Sequence, residues 1–258
     1  MASINKLMPL LLAGPAVALS LRRSTTGTSR PTVLTNVTLP GIAATDYTTE
    51  NWAGAIIENS DVTTVTGTFE VPAIDMPSGG DSSTSYCGCA WVGIDGFEND
   101  CDGGLMQAGI DWCIQNGAVS YSAWSEYWPA EAQVGWDIAI SQGDLITVTI
   151  DTSSTTSGTA TLENTSTGQS VSRTWSGMSP ALCRVTAEWV VEDYSVNNAL
   201  APFADFNQVY WADTDATVNG ASWGASPSNI LDMVQGSDVL ATAYLSGNNV
   251  IINYGTGY

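Results

Sequence analysis

Short runs in which apolar and polar residues alternate fill most of the chain from about residue 46 onward. Successive side chains of a strand point to opposite faces, so this alternation predicts strands with one face in a core. Gly-containing turn signals separate the runs, and no long 3.6-residue pattern occurs. We therefore expect an all-β fold, a sandwich of two antiparallel sheets of the concanavalin-like or jelly-roll type. The runs are Thr63–Val71, Ala90–Asp95, Leu105–Trp112, Tyr121–Trp128, Leu145–Ile150, Thr159–Glu163, Val171–Trp175, Val185–Glu192, Asn207–Trp211 and Asn249–Asn253.

The first 45 residues differ from the rest in composition. Residues 1–20 have the pattern of a secretory signal peptide, with Lys6 before an apolar run that ends in the small-residue site Ala18-Leu19-Ser20. Residues 21–45 are Ser/Thr-rich and locally basic, which predicts a pro-segment or linker. Residues 46–258 are expected to form the folded domain of a secreted, extracellular and monomeric protein that has no membrane span.

Charge and histidine content exclude several function classes. The 258 residues include 6 Lys+Arg, 26 Asp+Glu and no His. Catalysis by Ser-His-Asp or Cys-His, and the common catalytic zinc sites, all need an imidazole. From Asp46 onward, 26 acidic and two basic residues give a formal charge of −24, which argues against nucleic acid as a partner. Such self-repulsion fades where carboxylates are protonated, so an acidic working environment is favoured over a surface kept acidic for solubility.

Five cysteines fit a secreted chain with two disulfides and one odd thiol. Soft-metal binding at Cys87-Gly88-Cys89 is disfavoured because no histidine is available, and no metal is expected.

Four of the predicted strands combine a core face with a face that carries Trp, carboxylates or a carboxamide. Large Trp rings beside such groups are typical of a substrate groove, and the alternative is a sheet surface with packing aromatic residues. The polar faces carry Trp91, Gly93 and Asp95; Gln107 and Asp111; Ser122, Trp124, Glu126 and Trp128; and Glu188 and Glu192.

Several of these segments, taken together and in order, resemble the fungal glutamic peptidases (eqolisins). The resemblance implies a two-sheet β-sandwich, made with a signal and pro-segment, that cleaves polypeptides at acid pH without metal or cofactor. It runs from about Asn51 to the C-terminus. The matching segments are Asn51–Ala55, Ala90–Gly96, Met106–Trp112, Tyr121–Pro129 and Ala187–Asp193.

The resemblance also implies roles for individual residues. The catalytic glutamate and glutamine of the family correspond to Glu188 and Gln107, and a family disulfide corresponds to Cys101–Cys183. Ser122 and Trp128 depart from residues that some members carry, which affects substrate preference rather than the reaction. Cys87, Cys89 and Cys113 receive no assignment. Residues implied to line the substrate cleft are Trp52, Trp91, Asp95, Trp124, Glu126 and Trp128.

Peptide hydrolysis by such a pair needs no other titrating group. Glu188 can take a proton from water and return it to the leaving nitrogen. Gln107 has both a donor and an acceptor end, so it can orient the water and hydrogen-bond the oxyanion.

Two alternatives from other classes stay open at this point. A β-sandwich glycoside hydrolase would use Glu126 and Glu188 as its two carboxylates in a Trp-lined groove. A non-catalytic carbohydrate-binding sandwich would need the Trp residues and tolerate loss of Glu188. An aspartic peptidase is disfavoured because no Asp-Thr-Gly or Asp-Ser-Gly triplet occurs.

Overall fold

The computed structural model describes residues 31–35, 37, 39–43, 45–97 and 103–255, together with the backbone of 27–28. Within these ranges the chain forms 19 strands and no helix. Accordingly, the described residues contain no helix with the length and hydropathy that crossing a lipid bilayer requires. The predicted signal peptide, residues 1–20, lies outside the described residues.

The strands are numbered in chain order. They are β1 Gly27–Thr28, β2 Tyr47–Thr49, β3 Trp52–Glu58, β4 Val62–Glu70, β5 Tyr86–Ile94, β6 Leu105–Gln115, β7 Ala118–Trp128, β8 Gln133–Val134, β9 Leu145–Ser154, β10 Ser157–Asn164, β11 Gln169–Trp175, β12 Thr186–Glu192, β13 Ser195–Val196, β14 Ala199–Leu200, β15 Gln208–Val218, β16 Ala221–Trp223, β17 Asn229–Gln235, β18 Asp238–Ser246 and β19 Asn249–Tyr254.

Sixteen of the strands form one hydrogen-bonded sheet that folds over on itself. Its order is β11-β10-β9-β4-β15-β19-β18-β17-β3-β12-β5-β6-β7-β8, with β16 added to β15 and β2 to β17. Strands β4, β9 and β10 of one half pack against β12, β5 and β6 of the other, and β17 and β18 lie where the halves join. The β-sandwich prediction is confirmed, and the only departure from antiparallel pairing between named strands of the described residues is β2 with β17.

The main core lies between the two halves of the sheet. Val92, Ala108 and Trp189 from one half meet Val65 and Val148 from the other, and all five are buried. Burial of each of the three valines stabilises the fold by roughly 1.5–3 kcal/mol. The indole N–H of Trp189 also donates a 2.8 Å hydrogen bond to the Thr66 carbonyl on β4, which fixes the two layers against each other.

The opposite face of β3, β12, β5, β6 and β7, which we call the cleft face, is also buried. It carries a second apolar cluster that includes Trp52, Trp91 and Trp124. The sequence predicts an open groove on this face. In the structure Leu34 and Tyr47, which precede β3, pack against the cluster and help to cover it.

The cysteines follow the strand register. Cys87 on β5 lies directly opposite Cys113 on β6, and the two form a disulfide, while Cys89 is buried. Cys183 is disulfide-bonded. The pairing Cys101–Cys183 stays a prediction, because Cys101 lies outside the described residues.

Two buried carboxyl groups hold β17 at the junction of the two halves. Asp193, just after β12, accepts a 2.8 Å hydrogen bond from the Gln235 side chain on β17. Asp232 on β17 accepts one of 2.8 Å from the backbone N–H of Ala243 on β18. Burial raises the pKa of both Asp193 and Asp232 to about 7.

This burial predicts that the fold is stable in acid and weakens toward neutral pH. The folded pKa of about 7 exceeds the ordinary value of 3.8, so full stability is present below about pH 4 and is lost as the pH rises through 7. Urea unfolding of the protein should show a free energy of unfolding that falls between pH 4.5 and 7.5. The double variant Asp193→Asn/Asp232→Asn should flatten this dependence, and an unchanged slope in that variant would contradict the assignment.

Candidate active site

Four adjacent strands place a glutamate, a glycine, a glutamine and a second glutamate in one row. Glu188 on β12 lies opposite Gly93 on β5, Gly93 lies opposite Gln107 on β6, and Gln107 lies opposite Glu126 on β7. Residues directly opposite in a sheet project to the same face. Alternation along each strand therefore brings all of them to the cleft face.

Gly93 allows Glu188 and Gln107 to approach each other. The strands that carry them are two spacings apart, about 10 Å between backbones, with only Gly93 between. A β-carbon at Gly93 would lie 3.2 Å from Oε2 of Glu188 and 2.7 Å from the Trp91 ring. The Glu188 carboxylate thus leans over the glycine, toward Gln107, in space that any other residue would fill.

Three buried oxygens of Glu188 and Gln107 have no hydrogen-bond partner within the described part of the chain. They are both carboxylate oxygens of Glu188 and Oε1 of Gln107. Burying a polar atom without a partner costs about 1–3 kcal/mol, so such atoms in a folded protein indicate a place for water or a ligand. Glu188 and Gln107 are both 0% exposed.

The electrostatics of the row favour a neutral Glu188 in this covered state. Burial raises the pKa of Glu188 well above its ordinary value, and the nearby charge of Asp95 adds to the increase. The Thr186 hydroxyl is close enough to lower the pKa in part, although no described group makes a well-formed hydrogen bond to the carboxylate.

Asp95 is placed differently from the other predicted cleft residues. Its carboxylate accepts hydrogen bonds of 2.7–2.8 Å from the backbone N–H groups of Cys183, Arg184 and Val185. Burial raises the pKa of Asp95, and these hydrogen bonds lower it in part. The carboxyl therefore ties down the loop that leads into β12 and Glu188, and its predicted contact with substrate stays a prediction.

The predicted tryptophans gather around the row. Trp91 and Trp124 flank Gly109 in the next row of opposite residues, and the Trp52 ring meets Trp91 edge-on at 4.7 Å. Trp128, at the end of β7, packs against the same cluster and is partly exposed. The structure thus brings together every predicted cleft residue except Asp95.

A further row of polar residues was not among the predicted site residues. Glu192 lies opposite Cys89, and Cys89 lies opposite Asp111. Glu192 accepts a 2.8 Å hydrogen bond from the indole N–H of Trp91. The alternation in the sequence places Glu192 and Asp111 on the cleft face, but only the register shows that they share a row.

Part of the N-terminal segment runs along the edge of the cleft face. Thr32 donates its backbone N–H to the Gly96 carbonyl at 2.9 Å and its hydroxyl to Asn51 at 2.7 Å. The backbone of Leu34 forms a bridge with that of Thr49. Further upstream, the backbone of β1 pairs with β13.

The sequence model of the peptidase A4 family matches residues 50–254, a range that includes the whole row. The chain belongs to the peptidase A4 family. The match confirms the predicted family and its activity class, a glutamic-type endopeptidase. It also decides against the two carbohydrate alternatives.

Individual relatives agree with this assignment. Aspergillopepsin-2 of Aspergillus niger is 40% identical over 231 residues, covering 84% of this chain and 81% of the relative. The crystal structure of scytalido-glutamic peptidase with a transition state analog inhibitor is 37% identical with a TM-score of 0.70, covering 80% of this chain and 98% of that one. A structure of SCP-B, a member of the eqolisin family, in a complex with the tripeptide Ala-Ile-His has a TM-score of 0.68 at 37% identity, with the same coverage of both chains.

Replacing Gly93 with alanine should disable this A4 peptidase. The new methyl group would force the Trp91 ring and the Glu188 carboxylate aside, and such misplacement costs on the order of 100-fold in kcat/KM. Kinetics on a peptide substrate at acid pH will measure this loss.

Gly88→Ala is the matched control, since it adds a similarly tight methyl group on the same strand, against Trp112 and Phe203. It should lower the melting temperature without a comparable loss of activity. Equal activity in Gly93→Ala and the parent protein would contradict the role assigned to this glycine.

Proposed function

We propose that the protein is a secreted endopeptidase that works at acid pH with Glu188 and Gln107 as its catalytic pair. The observation that supports the proposal is the row in which these two residues flank a glycine. Three of their buried oxygens have no hydrogen-bond partner among the described residues. Its substrates would be polypeptides, in keeping with the tripeptide Ala-Ile-His in the structure of SCP-B and the peptide based transition state analog in a structure of scytalido-glutamic peptidase.

The reaction would start with a water held between the two side chains. Glu188 removes a proton from the water, and the oxygen adds to the carbonyl carbon of the peptide. The amide N–H of Gln107 hydrogen-bonds the oxyanion that forms. Glu188 then gives its proton to the nitrogen, the C–N bond breaks, and a carboxylic acid and an amine leave.

A carboxamide suits the acid conditions proposed here. Gln107 does not titrate, so its N–H donors are present at any pH. Glu188 must be ionised to act as a base, and an ordinary glutamate has a pKa of about 4.3. The strongly acidic composition from Asp46 onward and the buried carboxyls Asp193 and Asp232 are also better tolerated in acid.

The N-terminal residues would form a signal peptide, 1–20, and a pro-segment, 21–45, that precede the peptidase domain, 46–258. The contacts of Thr32 and Leu34 beside the cleft support a zymogen in which this segment helps to cover the site. Covering also deprives Glu188 of water and raises its pKa, which keeps the base protonated. Removal of the segment would restore solvation and allow the pKa of Glu188 to fall.

Substitution of the pair tests the mechanism. Glu188→Gln removes the proton acceptor and should lower kcat/KM by about 100- to 10,000-fold. Gln107→Glu replaces the neutral donor and should cost about 100- to 1,000-fold. Hydrolysis of denatured protein is measured from pH 2 to 7, after acidification of the full chain and with an aspartic-peptidase inhibitor present. It should show an acid optimum in the parent and in neither of these two variants.

Asp232→Asn is the matched control, because it also neutralises a buried carboxyl but lies outside the row. It should retain the activity of the parent. Full activity of Glu188→Gln at pH 3 would rule out the proposed mechanism.

A further inference from the structure

The two ends of the Gln107 carboxamide have opposite roles in the proposed reaction. Oxygen Oε1 can only accept a hydrogen bond, from the water, whereas nitrogen Nε2 can only donate, to the oxyanion. Rotation of the amide by 180° exchanges the two ends and places each where the other is needed. Some group must therefore select one orientation.

Glu126 makes the contact that distinguishes the two ends. Nε2 of Gln107 donates a 3.0 Å hydrogen bond to Oε2 of Glu126. A carboxylate only accepts, so the reversed amide would bring two acceptor oxygens together. The bonded orientation leaves Oε1 free for the side where Gly93 and Glu188 lie, with the second N–H of Nε2 still available.

Burial strengthens the preference for this orientation of the Gln107 amide. Glu126 and Gln107 are directly opposite on β6 and β7, and both side chains are 0% exposed. Where water is excluded, an acceptor pair without a proton between them is especially costly. The selection operates while Glu126 is ionised, because a protonated carboxyl also has an O–H that can donate to Oε1 of the reversed amide.

We propose that Glu126 is a positioning residue that fixes the orientation of the Gln107 carboxamide. This inference rests on the proposed function of Gln107 and replaces the direct substrate contact predicted for Glu126. Glu126 exchanges no proton with the substrate, because its action passes through the amide.

Two substitutions of different chemistry test the proposal. Glu126→Leu removes the acceptor at similar size and should lower kcat by about 10- to 100-fold, with KM within about twofold. Its melting temperature should be unchanged or higher, because an apolar residue replaces a buried carboxyl. Glu126→Gln keeps a carbonyl acceptor for Nε2 of Gln107 but adds an N–H donor that can pair with the reversed amide. With the two orientations about equally populated, kcat should come back to within about threefold of the parent.

A double-mutant cycle separates this inference from the proposed function. In a Gln107→Leu background, Glu126→Leu should cause no further loss, because the amide through which it acts is gone. If Gln107→Leu alone retains the parent kcat, the proposed function fails, whatever Glu126 does. Asp232→Asn again serves as the control and should leave kcat unchanged.

Three results would overturn the positioning role. An equal loss in Glu126→Gln and Glu126→Leu would assign proton transfer to Glu126. A rise in KM at constant kcat would assign substrate binding. A parent-like kcat in Glu126→Leu would leave Glu126 without a role in turnover.

Discussion

Two side chains from strands that are not neighbours can meet only if the strand between them leaves room. Gly93 provides that room in this protein, since it is directly opposite both Glu188 and Gln107. The space beside Gly93 is already occupied: a β-carbon at this position would lie 3.2 Å from Oε2 of Glu188. The register of β12, β5 and β6 therefore determines the geometry of the site, and the rest of the sandwich holds that register.

Burial of the cleft face affects both the ionisation and the hydrogen bonds of its polar residues. Three tryptophans and the segment that contains Leu34 and Tyr47 exclude water from polar groups. Burial raises the pKa of Glu188 and strengthens the hydrogen bond between Gln107 and Glu126. The same cover that keeps the site dry thus also keeps its base neutral, and opening the cleft would change access and ionisation together.

Much of the fold and of the site could be predicted from the sequence. The alternation of apolar and polar residues in Leu105–Trp112 and Val185–Glu192 predicts that Gln107 and Glu188 lie on the polar faces of their strands. The absence of histidine restricted proton transfer to carboxyl groups. The segment resemblance then selected Glu188 and Gln107 from several candidates.

Other features depend on register and tertiary contacts, which a single sequence does not reveal. The spacing of residues along one strand does not show which residue lies opposite on the next, so neither the role of Gly93 nor the Cys87–Cys113 pair follows from the sequence alone. The cleft face is covered because residues distant in sequence pack on it. Asp95 follows the strand alternation, but its positive φ of 71° takes it out of the strand and toward the backbone of Cys183–Val185.

A crystal structure at acid pH of the peptidase domain, after removal of the N-terminal segment, would test directly whether Glu188 and Gln107 hold a water between them. We expect one ordered water within about 3 Å of both a Glu188 carboxylate oxygen and Oε1 of Gln107, above Gly93. Side chains of Glu188 and Gln107 that turn away from each other, with no solvent molecule in contact with both, would contradict it.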